Sequence, residues 1–248
     1  MSALAVDGLS RDFGGLRALH QVTLAIEPGE RRVILGPNGA GKTTLFNLIT
    51  GLLAPTAGRI RLFDRDVTRL APHARAQLGL GRTFQITTLF PKLSVMDNVL
   101  LAVQGADPVR FALHRPRAAY PHLRERAERL LGQWDLLDRA EVPARRLSYG
   151  EQRQVELILA LATEPRVLLL DEPTAGLSPA ETASVAAMIG RFPRDVTILL
   201  IEHDMDVALE LADRVTVLHQ GVVLAEGTTA VIKKDARVTE IYLGTESD

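Results

Sequence analysis

The chain has 248 residues, of which 46% are hydrophobic, a formal net charge of -1 and no cysteine. This length and apolar content can fill the core of one large domain, or of one domain carrying an inserted subdomain. The missing cysteines exclude disulfides, thiolate metal sites and a cysteine nucleophile within the chain. The near-neutral charge lacks the basic footprint of a nucleic-acid binder, so no nucleic-acid partner is expected.

The first ten residues, MSALAVDGLS, show neither the basic start nor the apolar run of a secretory leader. The longest apolar runs, 167–170 and 196–201, fall far short of the ~20 residues a membrane helix needs. The chain is therefore expected to be soluble, with any membrane role reached through partners.

In chain order, the first 30 residues alternate short β-like runs with turns, such as Leu16–Ile26 followed by Pro28-Gly29. Arg31–Leu35 is a strand-like run that ends at Gly36. Lys42–Thr50 reads as a helix, and Gly51 is placed to cap its end. Residues 58–64 suggest another strand. From about 87 to 144 strand signals fade and helical ones appear. Leu123, Ala127, Leu130, Leu131 and Trp134 recur at helical spacing. A further helix is expected over 149–163. Residues 167–170 and 196–201 then read as strands buried on both faces, each followed by a helix. A hairpin over 215–218 and 222–225 turns at Gly221, and a terminal helix covers 237–243. The expectation is an α/β fold: a single domain with its core in 1–86 and 145–236 and a helical subdomain in 87–144.

The segment Gly36-Pro37-Asn38-Gly39-Ala40-Gly41-Lys42-Thr43-Thr44 matches the phosphate-loop pattern G-x-x-x-x-G-K-[ST]. Average composition yields this pattern by chance in about one chain in a hundred of this length. Glycines let successive backbone N–H groups turn inward onto phosphate oxygens. The helix starting at Lys42 points its positive end at the same anion. Lys42 would reach the β- and γ-phosphates, and the Thr43 hydroxyl would ligate Mg²⁺.

The run at 167–170 ends in Asp171 and Glu172. Ligands of α/β sheets gather at the carboxyl ends of strands. Asp171 is placed to hold Mg²⁺ through water, and Glu172 to polarise a water that attacks the γ-phosphate. Alone the carboxylate pair is an ordinary acidic turn; beside a phosphate loop it acquires a role.

Two more segments narrow the reading. Leu147-Ser148-Tyr149-Gly150-Glu151-Gln152 resembles the signature motif of ABC ATPases. Gly81-Arg82-Thr83-Phe84-Gln85 resembles their Q-loop, and Ile201-Glu202-His203-Asp204 their switch-histidine segment. The motifs occur in the family's order and span essentially the whole chain. The resemblance implies a P-loop NTPase core of the RecA-like kind, with an antiparallel β subdomain and an inserted helical subdomain. It also implies ATP and Mg²⁺ as ligands, with Gln85 near Mg²⁺ or the water and His203 on the γ-phosphate. Phe13 stands where the family's adenine-stacking aromatic lies. Ser148, Gly150 and Glu151 would face the γ-phosphate held by another subunit, so hydrolysis requires a dimer. Ser148 and Gly150 open a helix, which would aim a hydroxyl and backbone N–H groups outward as an anion site.

Two departures from the general pattern are visible. Tyr149 and Glu151 replace the usual Gly and Gln, and Ser178 in Pro173-Thr174-Ala175-Gly176-Leu177-Ser178-Pro179 stands where the D-loop usually has Asp. Together with LSYGEQR, GRTFQ, DEPTAGLSP, IEHDMD and IYLG, they resemble the first of the two ATPases of branched-chain amino acid importers. That resemblance implies a second ATPase subunit as partner, a different chain in the transporter, with a homodimer open to the isolated chain. It further implies two membrane permease subunits docking on 87–144, a solute-binding protein acting indirectly, and a peripheral place on the cytoplasmic face of the inner membrane. Relatives of this subclass serve urea or amide uptake and lipopolysaccharide export. Those alternatives stay open, because no solute pocket is visible in the sequence. A soluble ABC ATPase is a further alternative, though such chains carry paired cassettes, coiled-coil inserts or basic surfaces, and none is present. Arg110, Arg115, Arg117, Arg124, Arg126 and Arg129 make the insertion locally basic, as a solvated face or a contact for acidic permease loops.

Overall fold

The computed structural model describes residues 1–83, 89–108 and 120–243. It divides by internal contacts into two compact units.

The first unit holds residues 1–82, 166–172 and the stretch from 192. One of its sheets is four-stranded and antiparallel, built from β1 (Leu4–Phe13), β2 (Leu16–Ile26), β4 (Ala57–Leu62) and β5 (Arg65–Asp66) in the order β2-β1-β4-β5. The other is six-stranded. It contains β3 (Arg31–Leu35), β6 (Leu80–Arg82), β7 (Val167–Asp171), β8 (Thr197–Ile201), β9 (Arg214–His219) and β10 (Val222–Gly227), in the order β10-β9-β3-β8-β7-β6. All its pairings are parallel except β9 with β10. Every residue of β3, β7 and β8 is buried. That explains their unbroken apolar runs, since central parallel strands are covered on both faces.

β6 is an addition to the sequence reading. Leu80-Gly81-Arg82 carries neither alternation nor an apolar run. It is a strand because Leu80, Gly81 and Arg82 pair with Val167, Leu168 and Leu169 of β7. The expected strand at 58–64 is shorter than its apolar pattern suggests. β4 stops at Leu62, and Phe63 and Asp64 turn with φ of 46° and 64°.

One core joins both sheets to the helix α1 (Lys42–Thr50). Leu45, Phe46, Leu48 and Ile49 of α1 pack with Leu4, Leu9, Ile26 and Ile60 of the antiparallel sheet and with Ile34, Leu169 and Leu199 of the parallel one. Gly51 caps α1 in a left-handed conformation, and its N–H returns to the Leu48 carbonyl. The last carbonyls of α1 find a partner that local sequence does not announce. Arg75 lies on α2 (Pro72–Gln77) and is only 1% exposed. Its guanidinium donates to the carbonyls of Leu48 and Ile49 at 2.6 Å, of Leu70 at 2.9 Å and of Thr68 at 3.0 Å. A buried cation is tolerated there because it satisfies the orphan acceptors of a helix C-terminus and faces its negative dipole.

The unit is completed by α7 (Met205–Leu211), α8 (Thr229–Ile232) and α9 (Ala236–Leu243). Asp204 caps α7, its side chain accepting from the Asp206 and Val207 amides.

The second unit holds 83–165 and 173–191. It contains α3 (Val95–Ala106), α4 (Pro121–Gln133), α5 (Tyr149–Ala162) and α6 (Pro179–Gly190). α4 buries Leu123, Ala127 and Leu131, with Trp134 buried at its end; Leu130 is only partly covered. α5 and α6, outside the segment 87–144, belong to this unit. Arg110, Arg115 and Arg117 lie outside the described residues. Arg124 pairs with Glu128 at 2.8 Å, and the half-buried Arg126 pairs with Glu164 at 2.9 Å. No helix among the described residues is long and apolar enough to cross a membrane.

Replacing Arg75 with Met should lower unfolding stability by about 3 kcal/mol, because several buried carbonyls lose their donor. Urea unfolding followed by circular dichroism measures it. A loss under about 1 kcal/mol would show that the carbonyls of α1 are satisfied without Arg75.

Candidate active site

The loop from Gly36 to Thr44 leaves the end of β3 and enters α1. Gly41 caps the helix with φ of 102°. A Cβ there would stand 2.7 Å from Leu19 Cδ2 and 2.8 Å from the Ala18 carbonyl oxygen, so β2 presses directly on the loop. Only glycine combines this φ with that approach. The turn between β9 and β10 braces the loop from another side. The Gly221 N–H donates to the Ala40 carbonyl at 3.1 Å, and the Gly221 carbonyl accepts from His20 of β2 at 2.8 Å.

Lys42 is buried and folded back on its own loop. Its ammonium donates to the carbonyls of Gly36 at 2.5 Å and Pro37 at 3.0 Å. Burial lowers its pKa, while the charges of Glu172 and Asp171 oppose that shift. The loop opens onto a cleft of about 530 Å³, lined by residues that include Phe13, Asn38, Gly39, Ala40, Gly41, Lys42, Thr43, Thr44 and Glu172. Gly36 and Pro37 serve as acceptors for Lys42. Phe13, at the end of β1, is 42% exposed, and the Arg11 guanidinium lies 4.5 Å from its ring centre. A flat apolar ring at the rim of a polar cleft suits a stacked base.

Asp171 ends β7 and is 1% exposed. Its Oδ2 accepts from Arg82 at 2.8 Å, and the same guanidinium donates to Asn47 Oδ1 on α1 at 2.7 Å. Sequence reading gave Arg82 no role. Glu172 follows in a left-handed conformation, φ 48°, its N–H held by the Ile201 carbonyl at 3.0 Å. That twist turns the side chain out of the strand and into the cleft. His203 Nδ1 lies 3.4 Å from Glu172 Oε1. Gln85 lies outside the described residues.

Among the described residues there is no group of three His, Cys, Asp or Glu side chains that could hold a metal. The oxygens present still suit Mg²⁺. This ion keeps several waters and takes one or two protein oxygens plus substrate phosphates, rather than an all-protein cage. Thr43 in the cleft and Asp171 at the adjoining strand end supply that minimal set of hard donors.

Ser148, Gly150 and Glu151 belong to the second unit. They begin α5 with a reciprocal cap: Ser148 Oγ accepts from the Glu151 N–H at 3.2 Å, and Glu151 accepts from the Ser148 N–H at 2.8 Å. Ser148 is exposed, with its Oγ engaged in that cap. Gly150 differs from expectation, being buried with its N–H already donating to Glu181 Oε1 at 3.0 Å. A Cβ on Gly150 would lie 2.7 Å from Glu181 Cγ, so here the glycine admits a carboxylate. Ser178, the departure at the D-loop position, caps α6. Its hydroxyl and N–H donate to the other Glu181 oxygen at 2.8 and 3.1 Å. Those bonds, then the Gly150 amide, keep the Glu181 carboxyl below the usual carboxylate range.

Residues 19–175 match the family described as ABC transporter. The chain is 41% identical, over 97% of both sequences, to the high-affinity branched-chain amino acid transport ATP-binding protein LivG of Escherichia coli. It is 40% identical over the same shares to BraF of Pseudomonas aeruginosa, a protein of the same description. Among solved structures, the ADP conformation of an ATP-binding cassette of an ABC transporter superposes with a TM-score of 0.85 at 30% identity, over 98% of this chain and 99% of that one. A nucleotide-free cassette superposes equally well at 29% identity and the same shares. The fold is thus the α/β P-loop NTPase fold expected from the motifs, and the chain belongs to the ABC transporter family.

Proposed function

We propose that this chain is the ATP-hydrolysing subunit of an ABC importer, coupling ATP binding and hydrolysis to uptake of branched-chain or related hydrophobic amino acids. One observation carries the ATPase reading: the phosphate loop, Glu172 and Phe13 line a single cleft, with His203 3.4 Å from the Glu172 carboxylate. The solute class is supported by full-length likeness to LivG and BraF.

In this reading the adenine stacks on Phe13 and the phosphates enter the loop. Lys42 exchanges the Gly36 and Pro37 carbonyls for β- and γ-phosphate oxygens, a stronger charge-assisted pairing. The loop amides of Gly39, Ala40, Gly41, Thr43 and Thr44 and the start of α1 supply the remaining donors. Thr43 and Asp171, with Gln85 by the family resemblance, would hold Mg²⁺, which when bound neutralises charge building on the phosphates. Glu172 accepts a proton from a water as its oxygen attacks the γ-phosphorus. The bond from that phosphorus to the bridging oxygen breaks, and ADP leaves with that electron pair. His203 orients the Glu172 carboxylate and reaches the γ-phosphate. Ser148 and Glu151 serve the γ-phosphate bound by a second ATPase subunit, and Gly150 joins them by giving up the bond of its N–H to Glu181. Two permease subunits and, through them, a solute-binding protein complete the transporter at the cytoplasmic face of the inner membrane.

Glu172→Gln should bind ATP with affinity close to that of the parent while kcat falls at least about 100-fold, the range of lost general-base catalysis. Filter binding and phosphate release measure the two quantities, and ordinary turnover in this variant would remove Glu172 as the base. Lys42→Ala should weaken ATP binding at least about tenfold, losing one charge-assisted contact to phosphate. It should also abolish the thermal stabilisation that ATP confers; an unchanged shift would count against the loop. Reconstituted with its co-purifying permease, the chain should hydrolyse ATP faster when leucine, isoleucine or valine is supplied. Stimulation by urea or lipopolysaccharide instead would overturn the solute class.

A further inference from the structure

Arg82 ends β6, the strand with no local sequence signal. Its guanidinium forks between the end of β7 and helix α1. One amine donates to Asp171 Oδ2 at 2.8 Å; the other donates to Asn47 Oδ1 at 2.7 Å, on α1 one turn beyond Thr43. The second amine also lies 3.4 Å from Thr50 Oγ1, and the guanidinium carbon stands 5.8 Å from the Phe46 ring centre. The pair is nearly dry, with the Arg82 side chain 9% and the Asp171 side chain 1% exposed.

A carboxylate this deeply buried requires a counter-charge, and Arg82 supplies one from within the fold. Mg²⁺ drawn to Asp171 would be a second, doubly charged counter-ion for the same carboxylate. Two cations on one buried carboxylate repel strongly, because little water screens them. Arg82 cannot simply swing away, since Asn47 and Thr50 hold its other arm to α1.

Resting on the reading that Asp171 acts toward Mg²⁺, we propose that Arg82 is a positioning residue that competes with the metal for Asp171 and so sets how much magnesium nucleotide binding requires. Without metal, the guanidinium keeps Asp171 paired. Metal arrival is then an exchange of cations around Asp171, with Arg82 left on its Asn47 arm. The site gives up metal affinity in return for easy release.

The test is a magnesium titration of the binding of a fluorescent, non-hydrolysable ATP analogue to the full chain, read by anisotropy. Arg82→Gln keeps a donor for Asp171 and removes the charge. Its half-maximal magnesium concentration should fall at least about fivefold, a fraction of the repulsion between close buried charges. Arg82→Lys keeps the charge and should stay within about twofold of the parent. A fall in Arg82→Gln no larger than in Arg82→Lys would overturn the proposal and leave Arg82 a structural residue. Asp171→Asn should lose most of the magnesium effect. If it titrates like the parent, Asp171 does not serve the metal, and both readings fall together. If the glutamine variant is too unstable to titrate, the parent chain decides. Its Arg82 side-chain N–H signals, assigned by their loss in Arg82→Lys, should shift when Mg²⁺ is added to the analogue-bound protein. Signals that do not move would overturn the competition.

Discussion

Everything in the cleft depends on α1 staying where it is. A phosphate loop binds through backbone N–H groups, so its donors are only as well aimed as the chain that carries them. Here the loop is clamped by β2 at Gly41 and by the β9–β10 turn at Ala40. The far end of the helix is clamped by Arg75, whose fork collects carbonyls that would otherwise face a dry interior. Between these ends, Leu45, Phe46, Leu48 and Ile49 are immobilised in the core shared by the two sheets. The antiparallel sheet thus does more than supply Phe13. It closes the core over α1 and leans on the loop itself.

A common pattern runs through the functional groups. Each already has a partner within the fold. Lys42 is bound to its own loop carbonyls, Asp171 to Arg82, and the Gly150 amide to Glu181. The cause is the same in each case. A buried or half-buried charge or donor left unmatched costs more than a mediocre internal match. Ligand binding then becomes a replacement of partners, and the net gain is the difference between two satisfied states.

The carboxylates show how backbone geometry separates roles that the sequence merely juxtaposes. Asp171 and Glu172 are neighbours in the chain. The first keeps strand geometry and points into the dry layer beside α1. The second takes a left-handed conformation and turns toward the cleft and His203. A non-glycine residue in that conformation carries backbone strain of order 1 kcal/mol or more, retained because the sheet and the Ile201 carbonyl impose it.

The sequence by itself determined the phosphate loop, the acidic strand end, the strands β3, β7 and β8, the helix α1 with its Gly51 cap, and the family. These are local patterns: glycine spacing, an apolar run with two carboxylates, helical periodicity. Each is written within a few residues because each is set by backbone chemistry near at hand. What only the tertiary structure decided are the contacts between segments far apart in sequence. β6 exists because β7 offers it an edge; Leu80-Gly81-Arg82 alone has no strand character. Arg75 and Arg82 look like any other arginine on a surface until packing strips them of water. They are accommodated there because helix carbonyls in one case and Asp171 and Asn47 in the other accept their hydrogen bonds. Likewise Ser178 reads as a lost aspartate, and becomes a helix cap only when α6 folds behind it and Glu181 reaches Gly150. Burial cannot be read from a short window of sequence, and burial is what turns these side chains into parts of the site.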